Sequence, residues 1–143
     1  MIIGANCKLR GVTFRFYQGG GKIELGDRIL VNAYPRSRVF LSVKNHTSIH
    51  VESNCLISNP VGISTTDWHR IVDEDGVIVN PEKDIHIGKH VWIGSTVIIG
   101  KGVSIPDNTV IGTGSVVTKP FSEKNTVIAG NPAEIKKHRI NWR

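Results

Sequence analysis

Histidine is the residue type in this chain best suited to move a proton near neutral pH, and the sequence contains six histidines. His69 lies in a polar stretch, residues 64–86 (STTDWHRIVDEDGVIVNPEKDIH), two positions after Asp67. An imidazole in such a stretch could act as a general base on a hydroxyl group. His69, His86 and His90 could instead supply three ligands to a zinc ion. The residue types alone therefore leave two kinds of chemistry open.

The composition favours a folded domain with an anionic partner. Hydrophobic residues make up 39% of the 143 residues, so we expect one globular domain over residues 1–143, with no separate cofactor module. The formal charge of +6 suits an acidic glycan or a phosphorylated cofactor. Nucleic acid is not favoured, because the basic residues are scattered. The exception is a C-terminal group, either a solvated tail or an anion site: Lys136, Lys137, His138, Arg139 and Arg143.

The cysteines and the first residues predict a cytoplasmic protein. Cys7 and Cys55 form no CxxC or CxxH pair, so we expect reduced thiols. The apolar stretches are only a few residues long, which predicts no membrane span. Residues 1–6 (MIIGAN) lack the charged start and the long apolar run of a signal peptide.

The elements that must position these residues follow a period of six. An aliphatic residue returns at every sixth position: Ile87, Ile93, Ile99, Ile105, Ile111 and Val117. A helix cannot use this pattern, because six steps of about 100° place successive aliphatic residues on different faces. A short strand followed by a tight corner can use it, and three such units close a triangular coil. The alternative, a β-meander, would have longer and less evenly spaced strands.

The repeat extends towards the N terminus with interruptions. Val51, Ile57 and Ile63 keep the spacing, and an earlier run is shifted by two residues. Residues 33–38 (AYPRSR) predict a small extrusion, and the glycines at 19–21 predict a tight turn.

Two segments depart from the repeat on the other side. Residues 64–86 predict a long loop extruded from a rigid coil, which is where functional residues concentrate. Residues 118–143 predict a turn, a crossing segment and a short C-terminal helix.

Four motifs resemble the hexapeptide-repeat acetyltransferases, and among them the sugar and polysaccharide O-acetyltransferases. They are STTDWH at 64–69, VWIG at 91–94, GTGSVVTK at 112–119 and AGNPA at 129–133. The resemblance implies an all-β fold, a left-handed parallel β-helix, assembled as a homotrimer with active sites between subunits. It also implies acetyl-CoA as the donor and a hydroxyl of a sugar or glycan as the acceptor. No metal is required, because a thioester is already activated.

The resemblance assigns a role to each candidate residue. His69 is the general base, and the indole N–H of Trp92 bonds the thioester carbonyl or the acceptor, unless Trp92 only packs in an interface. Small residues along the donor groove bond the pantetheine arm, and cations meet the phosphates and adenosine. The donor residues are Ser95, Gly112, Thr113, Gly114, Thr118, Lys119, Lys136, Lys137 and Arg139.

The acceptor side departs from the family pattern. The related small-sugar enzymes carry an asparagine near the position of Arg38, which puts a neutral acceptor in doubt. Tyr34, Arg36 and Arg38 could meet an acidic sugar such as a sialic acid, or simply form a surface loop. Asp67 could orient the loop or the imidazole, or make a local turn bond.

Three alternatives stay open at this stage. A γ-carbonic-anhydrase-like enzyme would use the same scaffold and bind zinc through His69, His86 and His90. An N-acetyltransferase would act on a nucleotide-linked amino sugar. A trimeric binding module would bind without turnover.

Overall fold

The computed structural model describes residues 1–32 and 38–143, and the predicted extrusion at 33–38 lies outside it except for Arg38. The described chain forms a left-handed parallel β-helix. Its strands are β1 Ile2–Ile3, β2 Lys8–Arg10, β3 Val12–Phe16, β4 Lys22–Leu25, β5 Leu30–Asn32, β6 Val39–Val43, β7 Ser48–Val51, β8 Leu56–Ile57, β9 Val61–Ser64, β10 Ile85–Ile87, β11 Trp92–Ile93, β12 Val97–Ile99, β13 Ser104–Ile105, β14 Val110–Ile111, β15 Val116–Val117, β16 Val127–Gly130 and β17 Ala133–Lys137.

Three sheets form the faces of a triangular prism, and each turn of the chain adds one strand to each face. Sheet A has the order β1-β4-β7-β10-β13. Sheet B has the order β17-β16-β14-β11-β8-β5-β2, and sheet C the order β15-β12-β9-β6-β3. Neighbouring strands are parallel except at the β16–β17 pair. The described part of the chain contains no helix long and apolar enough to cross a membrane.

The interior of the prism is the aliphatic column that the six-residue period predicts. All six residues of the main repeat are almost completely buried, and so are Val51, Ile57 and Ile63. The run shifted by two residues, which includes Leu25 and Val31, also points inwards. Each residue between two inward ones faces the outer surface of its sheet.

Glycine is required at the corners where the backbones of successive coils pass closely. A Cβ atom at Gly94 would lie 2.8 Å from the carbonyl oxygen of Ile111 and from the amide nitrogen of Thr113. Real Cβ atoms do not come so close to backbone atoms, so a larger residue would push the coils apart. The predicted glycine turn is also present, with φ of 79° at Gly19 and 69° at Gly20.

The predicted C-terminal helix is wrong, because the segment forms a strand. β17 runs back along β16 as an antiparallel partner, and Ile135 lies opposite Ile128. The residues AEIKK favour a helix by themselves. The edge of β16 offers unpaired backbone groups, however, and pairing with them also buries Ala133 against the core. Tertiary pairing therefore prevails over the local preference.

The two cysteines are free thiols in different environments. Cys55 is buried, its Sγ lies 3.2 Å from the carbonyl oxygen of Gly88, and burial raises the pKa of the thiol to about 11. At pH 8 only about one Cys55 thiol in 10³ is therefore ionised, and the thiolate is the reactive form.

We expect Cys55 to react with a thiol reagent at pH 8 only when the chain unfolds. Counting modified thiols in native and in denatured protein checks this. Rapid native modification of Cys55, mapped by peptide mass, would contradict it.

Candidate active site

The loop predicted at 64–86 is shorter in the structure, because Ser64 ends β9 and β10 begins at Ile85. Residues 65–84 leave the prism at the edge between sheets C and A. The first residues of this loop are anchored in the coil. The hydroxyl of Thr65 lies 2.6 Å from that of Thr47, and Thr65 is buried. Trp68 adopts a left-handed backbone conformation with φ of 71°, and its amide donates to the hydroxyl of Thr66 at 3.0 Å. The chain therefore turns sharply immediately before His69.

Asp67 fixes the loop through long-range bonds. Its Oδ2 atom accepts from Lys101 Nζ at 2.5 Å and from Asn80 Nδ2 at 3.0 Å. Lys101 Nζ also donates to the carbonyl of Asn80 at 2.8 Å, which closes a three-residue network. The hydrogen bond from Lys101, followed by that from Asn80, holds the pKa of the Asp67 carboxyl below its ordinary value. The local turn bond considered for Asp67 is made by Thr66 instead, and Asp67 ties both arms of the loop to the coil.

His69 is held by the same network through its main chain. Its amide donates to the carbonyl of Asp67 at 2.9 Å, and its carbonyl accepts from Asn80 Nδ2 at 2.9 Å. The side chain is exposed. The backbone is therefore fixed on both sides of an imidazole that solvent and ligands can reach.

A groove runs along the outer face of sheet C beside this loop. The part next to the loop has a volume of about 420 Å³ and is lined by Asp67 and Trp68, among others. A second part of about 240 Å³ shares Phe40, Gly62 and Ile98 with the first. The groove is open over Gly62, where an added Cβ would meet nothing within 4 Å.

Two arginines line this groove at different places. The guanidinium of Arg15 stacks over the ring of Phe40 at 4.1 Å and lines the part nearest the loop. Arg38 lines the other part. The residues predicted with it, Tyr34 and Arg36, lie outside the described residues.

Trp92 lies on the outer face of sheet B, 38% exposed, as its position before Ile93 predicts. Its Nε1 donates to the hydroxyl of Ser58 at 3.3 Å. Trp142 lies beside it, with 6.0 Å between ring centroids. Trp142 stacks on His90 at 4.1 Å and donates from Nε1 to the carbonyl of His90 at 2.8 Å. The sequence did not indicate that Trp142 lies beside Trp92. The two rings meet only because the segment after β17 runs back across sheet B.

The predicted donor residues occupy two edges of the prism and the C-terminal hairpin. Ser95 and Gly112–Gly114 stack on the edge between sheets B and C, where the amide of Gly114 donates to the carbonyl of Ser95 at 2.9 Å. Thr118 and Lys119 follow β15 at the edge between sheets C and A. Lys136 and Lys137 belong to β17, and Arg139 follows it. These threonines, lysines and Arg139 are exposed.

The fold of this chain does not bring the two predicted catalytic residues together. His69 leaves the edge between sheets C and A, whereas Trp92 projects from sheet B. Nor does the fold bring the three candidate zinc ligands together. His86 lies on sheet A, 3.0 Å from Glu52, and His90 lies 3.0 Å from Asn108 under the ring of Trp142.

Comparison with known families and sequences agrees with this geometry. Residues 84–119 match the family described as bacterial transferase hexapeptide (six repeats). Galactoside O-acetyltransferase of Escherichia coli (strain K12) is 34% identical over 122 residues, covering 84% of this chain and 56% of the relative. Polysialic acid O-acetyltransferase of Escherichia coli O1:K1 / APEC is 36% identical over 124 residues, covering 86% of this chain and 38% of the relative. This chain belongs to the hexapeptide-repeat transferases.

Solved structures of other hexapeptide-repeat transferases share the fold. A galactoside acetyltransferase in complex with coenzyme A superimposes with a TM-score of 0.70 at 30% identity, covering 96% of this chain and 64% of that one. The polysialic acid O-acetyltransferase OatWY superimposes with a TM-score of 0.66 at 33% identity, covering 99% and 62%. The present chain thus spans between about two fifths and two thirds of the length of these relatives.

Proposed function

We propose that this hexapeptide-repeat transferase is an O-acetyltransferase that moves an acetyl group from acetyl-CoA to a hydroxyl of a sugar or glycan. The observation that carries the proposal is the fixed backbone of His69 beside the groove on sheet C. Asp67, Lys101 and Asn80 hold the backbone of this exposed histidine. The two residues before it, Asp67 and Trp68, line a groove large enough for part of a sugar. The galactoside and polysialic acid relatives, both named O-acetyltransferases, support the choice of oxygen as the acceptor atom.

Direct transfer of the acetyl group needs a general base for the acceptor hydroxyl and a hydrogen-bond donor for the thioester carbonyl oxygen. His69 takes the proton of the acceptor hydroxyl as the oxygen attacks the thioester carbonyl. The carbon–sulfur bond then breaks, and protonated His69 gives the same proton to the departing thiolate, so that CoA leaves as the thiol and the base is restored. The indole N–H of Trp92 donates to the carbonyl oxygen as it becomes negative. Because one protomer keeps His69 and Trp92 on different sides of the prism, we propose that they come from neighbouring subunits.

This arrangement requires an assembly, and we propose the homotrimer. A mass of three chains by light scattering at micromolar concentration is the expected result. A strictly monomeric mass together with full activity would contradict it, since each site would then have to form within one chain.

The donor site is proposed to follow the two edges that carry Ser95, Gly112–Gly114, Thr118 and Lys119. Lys119, and the cations of β17 and Arg139, would meet the phosphates and adenosine of CoA. We expect Lys119→Ala to raise KM for acetyl-CoA more than it lowers kcat, because a phosphate contact far from the thioester contributes equally to ground-state and transition-state binding. Steady-state kinetics check this, and an unchanged KM would remove Lys119 from the donor site.

The acceptor is proposed to be an acidic sugar. Arg15 and Arg38 line the groove on sheet C, and a guanidinium matches the geometry of a carboxylate. Asp67 serves this site by orienting the loop, since Lys101 and Asn80 occupy its carboxylate. We place the reaction in the cytoplasm, because two free thiols suit a reducing compartment.

The testing experiment measures CoA thiol release from acetyl-CoA with a panel of neutral galactosides, free sialic acid and sialylated glycans. Turnover that prefers the acidic acceptors is the expected result. The matched variant is Gly62→Leu, which adds a side chain to the groove at a position where nothing lies within 4 Å of the added Cβ. Folded Gly62→Leu protein with unchanged acceptor KM would contradict the groove assignment, and zero turnover on any acceptor would contradict the proposed activity.

A further inference from the structure

A second cluster of ligand-type side chains lies on the outer face of sheet A, away from the loop of His69. His50 on β7 and His86 on β10 are partners in the parallel register, so both project outwards side by side. Their rings are stacked, with 5.4 Å between centroids and 5° between planes. Glu52, two residues after His50 on the same face, places Oε1 3.0 Å from Nε2 of His86.

The three side chains offer the donor set of a transition-metal site. One ligand atom from each of His50, Glu52 and His86 lies within 4.8 Å of the other two. Ligands bound tetrahedrally at about 2.0–2.1 Å from a zinc ion are about 3.4 Å apart, so side-chain rotations would close the gap. Both strands are fixed by the sheet, so the backbone does not have to move. Two imidazoles with one carboxylate also leave a fourth position for water.

A further carboxylate and two lysines lie around these three side chains. Glu24 is the register partner of His50 on β4, and its carboxylate lies 3.6 Å from His50 Nδ1. Lys22 Nζ lies 2.8 Å from Oε1 of the same Glu24 carboxylate. Lys89 lies 3.7 Å from Glu52 on an exposed surface, where such a pair contributes little and can be displaced.

We propose that His50, Glu52 and His86 form a binding site for a divalent transition-metal ion of the zinc class. The site joins two successive coils at one particular place. β7 and β10 are neighbours in sheet A, yet the loop formed by residues 65–84 lies between them in the sequence. A metal ion bound to both histidines therefore links the two coils on either side of this loop. It binds only the folded arrangement, so it stabilises the protein by mass action.

The first experiment titrates metal-free full chain with ZnCl₂ at pH 7.5 by calorimetry. We expect one zinc ion per chain, and at least a tenfold weaker affinity in His50→Ala and in His86→Ala. Thermal unfolding with and without ZnCl₂ gives an independent readout. The melting temperature of the wild-type protein should rise with zinc, and that of either variant should rise much less.

The matched control is His138→Ala. His138 Nδ1 lies 2.6 Å from Glu123, so it has the same imidazole–carboxylate contact without a second imidazole. We expect zinc affinity to be unchanged in this variant. No binding at about 100 µM zinc, or affinity lost equally in His138→Ala and His86→Ala, would overturn the proposal. Acetyl transfer is not the readout, so this result and that for the proposed function are independent.

Discussion

Replacing His69 with alanine is expected to lower kcat by roughly 10²–10⁴, the usual contribution of a positioned general base. The fold should not change, because the side chain is exposed and the loop is held through main-chain atoms of His69 and through Asp67. Acetyl-CoA should still bind, since the predicted donor residues lie elsewhere. The measurement is steady-state turnover on the best acceptor, with CoA affinity determined separately.

The control separates loss of a base from loss of any histidine. His138 is also exposed, but it lies after the C-terminal hairpin, paired with Glu123. His138→Ala should keep turnover within about twofold of wild type, since a surface substitution away from the site has little effect. Near wild-type turnover in His69→Ala would show that another group takes the proton, and His86 and His90 would then be tested.

The pH dependence distinguishes His69 from its neighbour Asp67. The pKa of Asp67 is lowered in the folded protein, chiefly by Lys101. The stabilising effect of this pair is therefore fully present above the ordinary carboxyl range and is lost only as pH falls through the lowered value. The loop network remains intact between pH 5 and 8. Loss of rate within that window must come from a different group, and histidine is the side chain that ordinarily titrates there.

The sequence predicted the coil because inward residues repeat without error. A fixed six-residue spacing of aliphatic side chains is compatible only with a repeated unit of one short strand and one tight corner. All six side chains are buried, as this unit requires. The outward position of Trp92 and the loop at 64–86 follow from the same register. Left-handedness does not follow from spacing, and only the family resemblance supplied it.

The sequence could not show contacts that depend on which coils become neighbours. Asp67 meets Lys101 because the chain completes one coil between them, whereas the sequence favoured a local turn bond for Asp67. His50 and His86 become adjacent through the register of sheet A, although a long loop separates them in sequence. The C-terminal helix was predicted wrongly for the same reason, since the partner strand of β17 is a tertiary feature.

The largest loss of stability is expected for Ile93→Ala. Ile93 is fully buried in the aliphatic column and is the inward partner of Trp92 on β11. Truncating a buried isoleucine to alanine costs about 2–5 kcal/mol, because it removes apolar contacts and leaves a cavity that the surroundings only partly fill. Here the cavity would lie between Ile57 and Ile111, which pair with Ile93 in the coils on either side. In a solenoid each coil is stabilised mainly by its neighbours, so one defect weakens both interfaces.

Ile98→Ala, at an exposed position on the next strand, is the control for the stability loss in Ile93→Ala. Ile98 has the same side chain, lies on the neighbouring strand β12 and is 56% exposed on the outer face of sheet C. Ile98→Ala should change the free energy of unfolding by no more than about 0.5 kcal/mol, as is usual for surface positions. Urea unfolding followed by circular dichroism measures both variants. Equal losses would mean that Ile93 does not face a packed interior, and the inward–outward alternation that also places Trp92 on the surface would then be wrong.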